Sequence, residues 1–292
     1  MDKEQKLTPE QKWEQATLAN NFIFYKVMRH HPDACKKLLE MLLNIQIEQM
    51  EMVSEETIDL DHDSKGIRLD VFVKETGRVH DIELQTTNTK ELPERSRYYQ
   101  GLMDLDTLKS GHTYKELKNS HVIFICMEDI FNKGLPVYTF ENVCREDGST
   151  KLNDRAYRHF FIAPICATML EDEGLKAFFK FLILNKVETD YTSALNAYVV
   201  DAKHNMQWRM QYMTFERMQA YAFEDGLEQG REEGREEGLE QGREEGREEK
   251  CVAARALLAD GKYTAQEIAT LLNIPVESFA EVHNSEAILS QK

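Results

Sequence analysis

Two acidic residues on facing strands are the part of this sequence best suited to chemistry. Residues 67 to 86 read IRLDVFVKETGRVHDIELQT, two β-patterned runs that flank a Thr-Gly turn. Strands alternate their faces with period two, so a hairpin centred on Thr76-Gly77 with a two- or four-residue loop puts Asp70 directly opposite Glu83. Like charges in that position destabilise a sheet unless something neutralises them, and a divalent cation would do so.

A magnesium ion between these carboxylates would suit the hydrolysis of a phosphodiester. Mg²⁺ favours one or two carboxylates together with water and phosphate oxygens. Held in this way, the metal activates water and steadies the charge that develops on the phosphate. The alternative is a solvated hairpin face, because a D-x12-E-x-Q spacing also arises by chance. A loop of odd length would break the pairing and the argument with it.

The flanking elements place the hairpin in an α/β fold. Apolar stripes predict helices over 13–29 and from Pro32 to about Asn44, and Pro93 predicts the start of another over 94–109. The run HVIFICM at 121–127 has the length of a buried central strand, in the order of a β-α-β crossover. Further strands are predicted at 137–143 and 159–165, and two or three helices across 171–223. Four methionines in that last segment are expected in the core: Met206, Met210, Met213 and Met218.

The hairpin and its surroundings resemble a known family. The stretch GIRLDVFVKETGRVHDIELQ, followed by RSRYYQ at 95–100, is similar to the Rpn-type recombination-promoting nucleases, also called PD-(D/E)XK nuclease family transposases. LANNFIFYKVM at 18–28, LLEMLLNIQIE at 38–48 and the Gly-Arg-Glu-Glu repeats near the C-terminus also look like that family. The resemblance implies a PD-(D/E)XK restriction-endonuclease-like αββαβ core with a helical C-terminal extension.

The resemblance also implies roles for individual residues. Asp70 and Glu83 match the two acids that hold the metal, Mg²⁺ or Mn²⁺, with Glu83 or the metal involved in activating water. Gln85 stands where the broader superfamily has a catalytic lysine, and it would orient the water or the scissile phosphate. Arg97 would stabilise the charge on the phosphate. Glu40 matches a helical acid that adds a metal ligand in many such nucleases, unless it is simply an exposed helix position.

The glutamine in place of lysine removes a positive charge from the predicted site, because an amide is neutral. Arg68, Lys90 and Arg95, as well as Arg97, are close enough in sequence to supply that charge. Asn21 stands where relatives often have aspartate, which argues against a metal-binding role for it. The sequence thus predicts the acidic residues of the site more firmly than the basic residue that supplies its positive charge.

The predicted function is that of a metal-dependent DNA endonuclease associated with recombination or mobile elements. The alternative is a catalytically inactive nuclease-like scaffold that acts through self-association or partner binding. The formal net charge is −16, so the chain lacks the excess of basic residues that grips nucleic acid nonspecifically. Binding to DNA would therefore depend on metal and on local basic patches.

Composition divides the chain into three predicted segments. Residues 1–223 form the nuclease-like domain, and residues 251–292 form a small helical module with helix-turn-helix spacing but an acidic second helix. Between them, residues 224–250 hold 12 acids and 5 bases, with a glycine every four residues from Gly226 to Gly246. Each glycine costs a helix roughly 1 kcal/mol, so this segment is either a flexible linker or a helix that a partner stabilises. We expect a homo-oligomer formed through the repeat and the module.

The cysteines and the N-terminus indicate a cytoplasmic protein. Five cysteines are scattered without metal-ligand spacing, an odd number that favours free thiols. The N-terminal residues lack the apolar core of a signal peptide. No run approaches the roughly 18 apolar residues of a membrane span, so no membrane partner is expected.

Overall fold

The computed structural model describes residues 7–53, 70–87 and 89–280. Its strands are β1 (Met50–Met52), β2 (Val71–Glu75), β3 (Arg78–Gln85), β4 (Asn119–Cys126), β5 (Val137–Phe140) and β6 (Ala156–Ile162). Its helices are α1 (Pro9–Gln15), α2 (Asn21–His30), α3 (Pro32–Leu43), α4 (Leu92–Thr107), α5 (Ala163–Met169), α6 (Glu173–Leu184), α7 (Asp190–His204), α8 (Met206–Ala259), α9 (Ala265–Leu272) and α10 (Glu277–Ala280). The described strands form one sheet in the order β1-β2-β3-β4-β6-β5.

The central hairpin has the predicted register. Strands β2 and β3 are antiparallel, with Val71 opposite Ile82. Thr76 and Gly77 form the loop, and Gly77 has a φ of 83°, a conformation that glycine adopts without steric cost. Continued by one residue, this register places Asp70 opposite Glu83. Arg68, one of the residues considered as a source of positive charge for the site, lies outside the described residues.

The sheet confirms the expected αββαβ order. Helices α2 and α3 precede the β2-β3 hairpin, and α4 then crosses from β3 to β4. Strands β3 and β4 are parallel, and β4 is also parallel to β6, so β4 lies at the centre of the sheet. The run HVIFICM falls almost entirely within β4, whose residues 122–126 are all buried. The fold is therefore α/β with a mixed sheet and a long helical extension.

Helices cover the two faces of the sheet unequally. One face packs against α2, α3, α6 and α7 in a large core that includes Ile82, Ile123 and Phe178. The other face packs against α4 in a smaller core that includes Phe124 and Tyr99. Strand residues alternate between these faces, so Asp81 and Glu83 of β3 point to the α4 side while Ile82 and Leu84 point to the other.

The helix predicted over 13–29 is two helices, α1 and α2. Asn20 ends the break between them, because its side-chain oxygen accepts hydrogen bonds from the backbone amides of Phe22 and Ile23. The apolar pattern did not show this break, because Trp13 before it and Leu18 within it are both buried. A cap, rather than a change in hydrophobicity, decides where α2 begins.

Three of the four methionines expected in the core are exposed. Met206, Met210 and Met218 lie on α8 with 67%, 68% and 66% of their surface accessible. A narrow stripe of α8 packs against the large core, through Trp208, Tyr212 and Met213. Methionine at near-helical spacing is typical of buried helices, but α8 buries a different set of positions.

The chain divides into two compact units, residues 1–215 and 216–292, whereas composition suggested a boundary after residue 223. The glycine repeat lies within α8 and is helical rather than an extended linker. In the second unit, the end of α8 packs with α9 and α10 around a small core that includes Ala254, Ile268 and Phe279. Thr264 caps α9 in a reciprocal capping box with Glu267, as its sequence predicts. Across the described residues, every helix is too short or too polar to cross a membrane.

Candidate functional site

Three acidic side chains lie together at the hairpin, and we call Asp70, Asp81 and Glu83 the acidic row. Asp81 and Glu83 alternate onto the α4 side of β3, where Glu83 lies opposite Phe124 of β4. Asp70 immediately precedes β2, and its backbone amide donates a hydrogen bond to the Glu83 Oε1 atom over 2.9 Å. The structure therefore brings together the two acids that the sequence singled out.

Burial makes the charge of Glu83 costly. The Glu83 side chain is almost fully buried among apolar residues of the sheet and α4. Burial raises the pKa of the Glu83 carboxyl well above its usual range, and the nearby charges of Asp70 and Asp81 raise it further. The Asp70 amide and the Arg95 guanidinium act in the opposite direction. A bound cation would reverse this balance and favour the ionised carboxylate.

Asp81 belongs to the site although sequence reasoning passed over it. It is fully buried, and neither of its carboxylate oxygens has a hydrogen-bond partner. Burial and the charge of Asp70 both raise the pKa of Asp81 well above its usual range. Buried polar atoms without partners are uncommon in folded proteins and often mark a place for an ion or water. The signal was present in the sequence, because Asp81 alternates onto the same face as Glu83.

Arg95 of α4 supplies the positive charge of the site. Its Nη2 atom lies 3.5 Å from the Glu83 carboxylate, and its Nη1 atom donates to the Gln85 side-chain oxygen over 3.0 Å. The Tyr99 hydroxyl, one helical turn further on, accepts a hydrogen bond from Nη2 over 2.9 Å. The guanidinium is thus held on three sides. Gln85 also donates from its amide nitrogen to the Thr87 carbonyl oxygen, so both ends of this side chain are engaged.

The other predicted site residues lie elsewhere. Arg97 is exposed on α4, so Arg95 and not Arg97 contacts Glu83 and Gln85. Lys90 is exposed just before that helix. Glu40 accepts a hydrogen bond from the backbone amide of Ile47 over 3.1 Å, and so closes the turn after α3. A helical position alone did not reveal that this carboxylate has a local structural partner.

The donor set fits a hard cation that keeps much of its hydration. Within the described residues, no group of three or more His, Cys, Asp or Glu side chains is placed to hold a metal ion. Glu40 is therefore not a third metal ligand beside Asp70 and Glu83. Magnesium requires fewer protein ligands, commonly one or two carboxylates with water and phosphate oxygens completing the shell. Asp70 and Glu83 provide such a pair, and the unpartnered Asp81 oxygens add negative charge behind it.

A comparison with known families matches the part of the chain that contains this site. Residues 21–161 match the family model of the PD-(D/E)XK nuclease family transposases. The matched segment runs from the first residue of α2 into β6, and contains the acidic row, Gln85 and Arg95. Comparisons with curated proteins and with solved structures gave no match. Residues 21–161, with this fold and this arrangement of acids, form a domain of the PD-(D/E)XK nuclease family transposases.

Proposed function

We propose that the protein is a metal-dependent endonuclease that hydrolyses phosphodiester bonds in DNA, in recombination or in the movement of mobile elements. The family is one of nucleases, and PD-(D/E)XK nucleases generally use divalent metal ions. The observation that carries the proposal is the acidic row, with two unpartnered, fully buried oxygens on Asp81. Three acids at such close quarters are costly unless a cation neutralises them.

Asp70 and Glu83 would hold Mg²⁺, or Mn²⁺ in its place. When bound, the ion would activate water and stabilise the charge that develops on the phosphate. Glu83 is oriented for this task by the Asp70 amide on one oxygen and by Arg95 beside the other. Asp81 would increase the affinity of the site for a cation through its charge, from its position two residues before Glu83 on the same face.

Arg95 takes the place of the lysine that the broader superfamily has at the position of Gln85. A guanidinium presents several N–H donors in a fixed plane and suits phosphate oxygens. Gln85 and Tyr99 fix its orientation through hydrogen bonds. Gln85 would therefore act on Arg95, and not directly on water or on the scissile phosphate. Pre-oriented positive charge of this kind stabilises a phosphoryl transition state without further rearrangement.

Plasmid nicking by purified protein, with Mg²⁺ or Mn²⁺, tests the proposal. We expect nicking by the wild type and a loss of at least about a hundredfold in Asp70→Ala and Glu83→Ala, because each removes a carboxylate of the metal site. Glu94→Ala is the matched control, an exposed acid on α4, and should nick at the wild-type rate. Unchanged nicking by Asp70→Ala would sink the proposal.

A thermal shift on the same proteins separates an inactive enzyme from a scaffold. A ligand that binds only the folded state raises Tm, so Mg²⁺ should stabilise the wild type and leave Glu83→Ala unaffected. A protein that neither nicks DNA nor responds to metal would instead match the alternative function, a nuclease-like scaffold without chemistry.

We also propose that the protein forms homo-oligomers through its second unit. That unit has only a small core, yet it leaves a cavity of about 480 Å³ lined by apolar side chains such as Leu257 and Leu271. Leu271 is 70% exposed, and Leu239 on the repeat is 53% exposed. Exposed apolar surface of this kind is typical of interaction sites. Self-association would cover it and would also support a helix rich in glycine.

A further inference from the structure

Asp70 lies on the wall of a second cavity, on the side of the hairpin that faces α2. This cavity, of about 360 Å³, is lined by Asn21, Tyr25 and Lys26 of α2, by Gln211 and Phe215 of α8, and by Asp70. All of these residues belong to the first compact unit. Because Asp70 lines the cavity, an occupant would contact the acidic row at Asp70, while Asp81 and Glu83 point to the α4 side of the sheet.

The wall of the cavity includes a buried lysine, Lys26. Lys26 is only 6% exposed, and its ammonium lies 5.5 Å from the ring centroids of both Phe22 and Tyr25 and 5.8 Å from that of Trp208. Burial of a lysine is costly, and the faces of aromatic rings offset part of that cost. Phe22 is itself held edge-on against Trp13 and Tyr212. Three aromatic rings therefore surround the ammonium.

The remaining side chains have the chemistry that recognises a nucleotide. Phe215 is 46% exposed and presents a ring on which a base can stack. Asn21 and Gln211 are exposed amides, which offer both a donor and an acceptor to base edges. Lys26 supplies positive charge for a phosphate, the commonest target of lysine in nucleic acids. A stacking ring, two amides and an ammonium thus surround one cavity.

The size of the cavity limits the occupant to one nucleotide. A volume of about 360 Å³ is at the lower end of the range for small-molecule sites, roughly 300–1,000 Å³. A base within a duplex cannot enter such a site, so it must be unpaired or turned out of the stack. We propose that this cavity binds one unpaired nucleotide of the DNA strand next to the scissile phosphate, and so directs the enzyme to DNA with single-stranded or distorted segments.

This inference rests on the proposed nuclease function, and a binding experiment tests it separately from cleavage. Fluorescence anisotropy would compare a labelled duplex that bears a short single-stranded tail with the same duplex made blunt. Calcium would replace magnesium, and a gel would verify that the DNA stays intact. The wild type should bind the tailed duplex about tenfold more tightly, since stacking of one base on an aromatic ring contributes on that order.

Two variants and a control locate the effect. Phe215→Ala and Lys26→Met should each remove most of the preference for the tailed duplex and leave the affinity for the blunt duplex within about twofold. Phe223→Ala, a phenylalanine further along α8 that is 66% exposed and does not line the cavity, should retain the preference. Phe215→Ala is the variant less prone to misfold, because the Phe215 side chain is half exposed whereas Lys26 is buried. An effect seen with Phe215→Ala therefore reports on the cavity and not on a loss of fold.

Several outcomes would overturn the inference. Equal affinity of the wild type for both duplexes is one, and equal weakening of both by Phe215→Ala is another. Tight binding of a free deoxynucleotide without preference between the duplexes would assign the cavity to a small molecule instead. If the wild type nicks plasmid but shows no preference, the cavity inference fails alone; if Asp70→Ala nicks normally, the nuclease proposal fails independently.

Discussion

At the scale of single residues, the position of one positive charge is the most informative detail of the site. Gln85 is neutral, and the charge next to Glu83 comes from Arg95 on a different element. Arg95 and Arg97 are two residues apart, which separates them by about 200° around a helix. Only one of them can face the sheet, and the packing of Tyr99 against Phe124 selects Arg95.

Substitution of these two arginines gives an internal comparison. We expect Arg95→Gln to slow plasmid nicking by about 10²–10³-fold, because it removes an oriented donor for the phosphate charge. Arg97→Gln makes the same chemical change on the exposed side of α4 and should leave the rate near that of the wild type. Urea denaturation of both variants would exclude a loss of fold as the cause. Equal loss in the two variants would contradict the assignment of Arg95.

At the scale of elements, the hairpin turn fixes the register that brings the acids together. Gly77→Ala should lower the free energy of unfolding by about 1–2 kcal/mol, because its φ of 83° is unfavourable for a residue with a Cβ atom. An added Cβ meets nothing within 4 Å, so this cost lies in the backbone alone.

Substitution of Gly101 on α4 should change the free energy of unfolding in the opposite direction. A Cβ there also meets nothing within 4 Å, and the backbone is helical. Gly101→Ala should therefore stabilise the protein, by up to about 1 kcal/mol. Urea denaturation measures both changes, and two shifts of the same sign would refute the explanation.

The face of the sheet opposite the acidic row carries a histidine row, formed by His80, His121 and His159 on three adjacent strands. His121 Nδ1 lies 3.1 Å from His159 Nε2, and His80 Nε2 lies 2.7 Å from Glu75 Oε1. Burial lowers the pKa of His80 and His121 to about 3 and that of His159 to about 4. The rings are therefore neutral in the folded protein at neutral pH.

This row predicts a dependence of stability on pH with a definite sign. Below about pH 6.5 these histidines bind protons in the unfolded chain but stay neutral in the folded protein, so acidification favours unfolding. Burial raises the pKa of Glu75, so this residue acts in the opposite direction and favours the folded state on acidification. The contribution of the histidines must therefore be obtained by comparing the pH dependence of a variant with that of the wild type. When the pH falls from about 7.5 to about 5, the free energy of unfolding should decrease in both proteins. The decrease should be roughly 2 kcal/mol smaller in His159→Gln than in the wild type.

An exposed residue that does not titrate serves as the comparison. Ser193→Gln, on the exposed side of α7, should lose as much stability on acidification as the wild type. Urea denaturation at both pH values gives the quantity directly. Parallel pH profiles for His159→Gln and the wild type would mean that the buried ring does not oppose protonation.

At the scale of the whole molecule, the glycine repeat restricts how a partner can bind. Residues four apart on an α-helix are rotated by about 40° from one another, so the row from Gly226 to Gly246 winds through about 200°. A straight partner helix could follow only a few of these glycines. Self-association through the second unit would therefore depend mainly on apolar side chains such as Leu271, with the repeat contributing short contacts.

Two exposed leucines test this expectation. Leu271→Glu should reduce the molar mass measured by sedimentation equilibrium, because a charge on the apolar cavity opposes burial at an interface. Leu184→Glu changes a leucine that is 67% exposed at the end of α6 in the first unit, and it should leave the molar mass unchanged. A wild type that is monomeric at high concentration would remove the basis for self-association.

The sequence by itself determined the features that depend on local geometry. Period-two alternation and a Thr-Gly turn set the hairpin register and hence the pairing of Asp70 with Glu83. The order of helices and strands likewise predicted the αββαβ core. The tertiary structure decided what depends on contacts between distant segments. The rotation of α4 brought in Arg95, the cover of β4 and α4 buried Asp81 without a partner, and the turn after α3 engaged Glu40. Side-chain periodicity shows which face a residue occupies, but burial, charge and hydrogen bonding depend on the elements that the chain later packs against that face.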